Sequence, residues 1–411
     1  LLSGLTWMGI GQVKANVSFL PPTASAASVD TSPGQWASMR RDPLNNGNAS
    51  GVSQRFNGEI KWVFKGKPGT EPIYATPAVD GNRVYIPTGD RRLVALDTTT
   101  GNIVWEYALS GPVDASPAVA NGIVYLGLRD KRLLAIDAQS GEFLWAFVTD
   151  NPIMAPATVV DGVVYIGSGD GRIYALDATT SELRWSFDTG NWIDGGPVVN
   201  DEIVAVGSRS GGMYVLRKNT GAPLLYSLTG GEITTSPSMA DGTIYFGSDQ
   251  GRFWALDTTA RDTFLVRQRK WIELQLFLWG LVPTPGPPKG TIWMNTVKGK
   301  SKKDNVIFSS PAVADGTVYV GASNGSVYAW DAPTGEMKWE FKAGGPVLSS
   351  PAVAGNVLYV GSDDGKVYAL DAATGHKLWE LATGGKIQGS PAVGADAIFI
   401  ASFDGNMYAI H

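Results

Sequence analysis

The chain has 411 residues, 51 of them glycine, no cysteine and a formal net charge of -5. The missing cysteine excludes disulfides, thiolate catalysis and Cys-ligated zinc or iron-sulfur centres, and a mildly acidic chain without a Lys/Arg stripe carries no footprint for nucleic acid. Charged residues reach only 17%, and the 44% hydrophobic content comes largely from Val, Ile, Ala and aromatics, which suits many short strands joined by tight turns.

Residues 1 to 28 open on the apolar LLSGLTWMGIG, pass a polar step and reach PPTASAAS, which reads as the end of an export signal with a cleavage site at Ala24-Ser25-Ala26. Residues 1–30 are therefore expected to be a leader remnant and 31–57 a lead-in, with the protein itself extracytoplasmic, in the periplasm or cell envelope. No later apolar run approaches the roughly 20 residues of a membrane span.

From Tyr74 onward one pattern repeats. Tyr85, Tyr125, Tyr165, Ala205, Tyr245, Tyr319, Tyr359 and Phe399 are spaced by 40 residues, except for one step of 74. Twelve residues after each comes the acid of an A-[LIW]-D triplet at Asp97, Asp137, Asp177, Asp257, Asp331 and Asp371, with Arg217 and His411 as exceptions. Eight residues further stand Trp105, Trp145, Trp185, Trp339 and Trp379, whereas Leu225 and Leu265 hold that place in units four and five. Weaker seams are expected there.

Within a unit, alternating runs are punctuated by D-G, N-G and T-G turns, so four antiparallel strands, here A to D, are predicted. One such sheet cannot bury both faces, so neighbours must stack, and radial stacking closes an all-β, eight-bladed propeller over residues 58–411. The last unit stops after strand C. The missing strand is expected at the other end, where Gly58 to Lys65 (GEIKWVFK) carries Trp62 four residues after Gly58, the spacing of Gly335 and Trp339. Pairing it with the last unit removes two exposed edges. A monomer is expected.

The segments ALDTTTGNIVW, AIDAQSGEFLW, AWDAPTGEMKW and ALDAATGHKLW resemble the tryptophan-docking motif of the pyrroloquinoline quinone (PQQ) repeat propellers. The resemblance implies that Trp62, Trp105, Trp145, Trp185, Trp339 and Trp379 each pack on the next blade and donate the indole N–H to a carbonyl of its C-to-D turn. In length, blade number and lack of elaboration the chain is similar to the BamB-like outer-membrane assembly propellers. PQQ-dependent dehydrogenases share the repeat but carry a vicinal cysteine pair, a catalytic Asp and a calcium site; this chain has no cysteine, so no cofactor, metal or catalytic residue is expected. The resemblance implies a binding or scaffold protein for a protein partner or envelope polymer, with a quinoprotein dehydrogenase and a small-molecule sensor as alternatives.

His376 and His411 have no partner at metal-ligand or triad spacing. The recurrent Asp of A-L-D reads as a turn acceptor, and the D-G acids of the B-to-C turns read as hairpin residues rather than calcium ligands. Departures from the repeat are better guides to function. Units one to three group Arg91, Arg92, Arg129, Lys131, Arg132 and Arg172 on the B-to-C loops, a candidate surface for an anionic partner. Trp192 and Asp194 belong to the D-to-A loops, whose residues 11 before each register position (Tyr74, Asp114, Met154, Asp194, Thr234, Phe308, Leu348, Gln388) form a mixed ring. The third departure is the 34-residue excess of unit five. Residues 261–303 hold nine Lys/Arg around WIELQLFLWGL, with Trp271, Phe277 and Trp279, followed by the proline-rich VPTPGPP. Residues 266–288 are read as a docking arm for a partner or a membrane surface, with TIWMNTV (291–297) competing with the Leu265 region for the role of strand D.

Overall fold

The computed structural model describes residues 36–38, 41–49, 52, 55–262, 272–273, 275–282, 287–299 and 305–411. The expected leader, Leu265 and Trp271 lie outside the described residues. Eight four-stranded antiparallel sheets stand around one axis. Blade six shows the plan, with strand A at Ala312–Ala314, B at Thr317–Gly321, C at Ser326–Asp331 and D at Met337–Lys342. Strands A to C are buried almost throughout, while D alternates exposed and buried residues, as an outermost strand with one wet face must. Asp331 ends strand C and starts a turn in which its carboxylate accepts the Thr334 N–H and hydroxyl. Asp97, Asp137 and Asp371 do the same for Thr100, Ser140 and Thr374. Their repetition is thus structural.

Closure follows the sequence expectation. Ile60–Lys65 pairs antiparallel with Asn406–Ile410 as strand D of blade eight, Trp62 opposite Ala409. The first and last parts of the chain are locked together further by the His411 carbonyl, which accepts the N–H groups of Asn57, Gly58 and Glu59.

The docking bonds are present at six seams. Trp62, Trp105, Trp185 and Trp339 donate to the carbonyls of Thr98, Ala138, Lys218 and Ala372 at 2.8 to 3.0 Å. Trp379 donates to Phe56 at 2.8 Å, so the lead-in supplies the turn that blade eight lacks in sequence. The sixth is Trp293. Strand D of blade five is Thr291–Thr296, and Trp293 donates to Ala332 at 2.8 Å, so the Leu265 alternative gives way to TIWMNTV.

Two expectations are corrected here. Trp145 packs in its seam, but its indole N–H has no partner among the described residues. The reason lies across the seam. Elsewhere the Trp ring rests on a glycine of positive φ, and a Cβ at Gly101, Gly141, Gly221 or Gly375 would come within 2.5 to 2.7 Å of ring carbons. Opposite Trp145 the corresponding residue is Ser181, at φ 63, and its Cβ occupies the space into which the other rings settle. Unit two therefore joins unit four, where Leu225 offers no donor, in lacking the docking bond, while unit five has it through Trp293. In unit four Leu225 is 2% exposed against Trp254, Phe246 and Leu256, and the turn holds with Arg217 because the Gly221 N–H reaches its carbonyl at 2.9 Å.

The lead-in does more than approach the first blade. The N–H groups of Val79, Val119, Val199, Met239, Val313 and Val353, on the innermost strands of six blades, donate to the carbonyls of Trp36, Ala37, Pro43, Leu44, Asn46 and Gly47. Asn45, in the left-handed region at φ 50, sends its amide to the carbonyls of Pro197 and Pro237. Residues 36–38 and 41–49 thus line the channel and satisfy inner-strand edges that would otherwise be left without partners.

Candidate functional site: the channel mouth and its rim

Antiparallel strands put the A-to-B and C-to-D turns on one face and the B-to-C and D-to-A loops on the other. On the latter face the channel opens in a funnel of about 190 Å³ lined by two rings. The deeper ring is Thr76, Ser116, Pro156, Gly196, Ser236, Ser310, Ser350 and Ser390. Here the backbone N–H of one blade donates to the hydroxyl of the next: Thr76 to Ser116, Gly196 to Ser236, Ser236 to Ser310, Ser310 to Ser350, Ser350 to Ser390, and Ser390 back to Thr76, at 2.8 to 3.1 Å. Pro156 and Gly196 have no hydroxyl, so the belt lapses on both sides of blade three.

The shallower ring is the mixed one read from the sequence, and the structure brings all eight residues together. Tyr74 and Phe308 are 42% and 48% exposed, large for aromatics inside a concavity. Tyr74 meets Phe403 edge-on at 4.7 Å. The two acids are engaged: Arg129 holds Asp114 through both guanidinium branches at 2.6 and 2.7 Å, and Arg209 holds Asp194 at 2.6 and 3.0 Å. Arg209 also lies 5.3 Å from the centre of the Trp192 ring. Arg209 escaped the sequence reading, although a signal existed. Units two and four both set Asp 11 residues before the register position and Arg four after it.

The predicted basic rim is interleaved with carboxylates. Arg92 pairs with Asp90 at 2.7 Å and with Glu106, Arg132 with Asp130 at 2.6 Å, and Arg172 approaches Asp188 at 3.9 Å. Burial works against ionisation of Asp90, but hydrogen bonds from Thr88, Lys67 and Arg92 prevail and hold it at about 2. Arg91 and Lys131 project without an ion pair among the described residues, from backbones at φ 61 and 76, where other units use glycine. Such strain is tolerated rather than favoured. The B-to-C acids serve the seams: Asp364 accepts the Gly344 N–H and Asp404 that of Gly384, at 2.9 and 3.0 Å. A larger cavity of about 640 Å³ lies between blades five and six, where Asn324 replaces that acid beside Lys298 and Lys342.

Of the arm residues, Phe277 is partly buried and Trp279 is 69% exposed. They lie in the C-to-D connection of blade five, on the face opposite the mouth.

These features define an eight-bladed propeller of the tryptophan-docked, PQQ-like repeat class. The family described as outer membrane protein assembly factor BamB matches residues 45–259 and 280–411, and the chain belongs to it. No curated protein matches its sequence. Among solved structures, BamB from Moraxella catarrhalis is similar at 20% identity and a TM-score of 0.64, over 85% of this chain and 98% of that one. The quinohemoprotein alcohol dehydrogenase of Comamonas testosteroni is similar at 18% identity and a TM-score of 0.72, over 93% and 81%. The computationally designed Ika8 protein is similar at 18% identity and a TM-score of 0.69, over 86% and 100%. At these identities the likeness is one of fold.

Proposed function

We propose that the protein is a non-catalytic binding scaffold of the cell envelope that receives a protein surface at its channel mouth. The observation that carries this reading is how the mouth spends its polar groups. The deeper hydroxyls are used between blades and both acids are closed by arginines, which leaves Tyr74, Met154, Phe308 and Leu348, with the Thr234 hydroxyl, unpaired among the described residues, to meet a partner. Exposed aromatics within a polar rim suit protein contact. Membership of the BamB family supports the envelope location.

The fold likeness to a quinohemoprotein alcohol dehydrogenase raises a second reading. The residues at the mouth do not fit pyrroloquinoline quinone, a planar tricarboxylate. Arg129 and Arg209 are already saturated by Asp114 and Asp194, and about 190 Å³ falls below the roughly 300–1,000 Å³ of small-molecule sites. No step is derived through that group.

A photo-crosslinking residue at Phe308, in cells, is expected to give a discrete protein adduct that the same residue at Met337, on an outer strand, does not. Equal labelling from both positions would sink the scaffold reading, as would alcohol or sugar oxidation by the purified protein with PQQ and calcium.

A further inference from the structure

We infer that the C-to-D face is a membrane-facing surface, on which the blade-five arm inserts its apolar tip into the interface of an anionic bilayer. Residues 275–278 are helical and end in a complete Schellman cap. The Gly280 N–H reaches the Phe277 carbonyl and the Leu281 N–H the Leu276 carbonyl, both at 2.8 Å, with Gly280 at φ 72. This capped turn points its apolar residues the wrong way for a soluble helix. Ile272, Leu278, Trp279 and Leu281 are 51%, 65%, 69% and 67% exposed. Single exposed apolar residues need no explanation, but four of them on and beside one capped turn do.

Lipid is the occupant that the surrounding chemistry favours. Between residues 263 and 289 of the sequence, Arg267, Arg269 and Lys270 immediately precede the tip residues and Lys289 follows them, against the single acid Glu273. Basic flanks beside an apolar tip complement a negatively charged lipid surface, and a tryptophan is the side chain suited to the headgroup level. No helix among the described residues is long and apolar enough to cross a membrane, so the contact is interfacial.

The lead-in meets the propeller on this same face: Arg55 bonds Asn356 in the A-to-B turn of blade seven at 3.3 Å, and Phe56 stands in for a C-to-D turn carbonyl. With this face against the bilayer, the channel mouth looks away from it and stays open.

The absence of native cysteine makes the test direct. The full-length protein carrying Leu278→Cys takes a single environment-sensitive nitrobenzoxadiazole label, and Met337→Cys, 61% exposed on blade six, serves as control. With vesicles of phosphatidylcholine and phosphatidylglycerol, emission from position 278 is expected to rise and shift to the blue. Pure phosphatidylcholine should give a weaker response, and position 337 none. Adding Trp279→Asp and Leu281→Asp to the labelled protein should lower vesicle affinity by about tenfold or more with the melting temperature unchanged. A label at 278 that ignores both vesicles, or responds equally to both, overturns the inference. So does a change that follows protein concentration without vesicles, which would assign the tip to a second copy of the chain. The crosslink at Phe308 reads the opposite face, so either result can fail alone.

Discussion

The seam between blades six and seven and the seam between blades two and three follow one plan and part at two positions. In the first, Trp339 rests on Gly375 and bonds the Ala372 carbonyl, and the Ser310 N–H reaches the Ser350 hydroxyl. In the second, Ser181 replaces the glycine and Pro156 the serine, and the Trp145 N–H is left without a partner. Both retain the tyrosine bond to the same turn, Tyr319 to Ala372 and Tyr125 to Ala178. The Trp alone therefore does not make the seam. A position without a side chain across the interface matters as much, because the ring must settle where a Cβ would stand.

Four experiments break or sharpen that contrast. Trp339→Ala removes a buried ring with a satisfied donor and should cost about 3–5 kcal/mol in denaturant unfolding. Trp145→Ala should cost less by about 1–2 kcal/mol, since its donor contributes no bond to lose; equal losses would mean that the N–H bond is immaterial. Next, Ser350→Ala takes away the acceptor of a buried backbone N–H and should cost about 1–3 kcal/mol, read by the same unfolding curves. Ser181→Gly should have the opposite sign. Relief of the left-handed strain and recovery of the Trp145 bond should stabilise by about 1–2 kcal/mol, seen as a higher melting temperature.

The smallest effect recurs in the C-to-D turns around the ring and is read by pH. Backbone N–H groups of Thr100 and Ser140 hold Asp97 and Asp137 below their ordinary value of 3.8, and the hydroxyls of Thr334 and Thr374 do so for Asp331 and Asp371. A carboxylate whose value is depressed on folding stabilises above its unfolded value and loses that stability as the pH falls through the folded one. Melting temperature should thus drop as the pH is lowered from about 5 to about 3. Because these groups are largely exposed, each contributes little. Asp371→Asn should flatten the slope slightly without altering stability at neutral pH by more than about 1 kcal/mol.

Much of the fold was legible because the repeat encodes it locally. The 40-residue register fixed the blade count, and the orphan Gly58–Lys65 segment announced its pairing with the last blade. Trp293 was harder, since the insertion broke the spacing that identified the others. The mouth was partly legible. Its eight residues share one place in the repeat, so listing that place located the ring, while the ion pairs that close Asp114 and Asp194 depend on side chains 15 residues away. The seam defect was hidden for a different reason. Reading each unit alone shows Trp145 intact, and only the neighbouring unit holds the serine that displaces it.

The sequence by itself determined the architecture, the closure and the turn acids, because strand alternation, turn glycines and hydrogen bonds to near neighbours are local properties that recur with the repeat. Only the tertiary structure decided which seams carry the docking bond, how residues 36–38 and 41–49 line the channel, and which face bears the arm. Those depend on pairs of groups far apart in the chain, Asn45 with Pro237 or Trp145 with Ser181, whose fit is set by the distance between surfaces once the ring has closed.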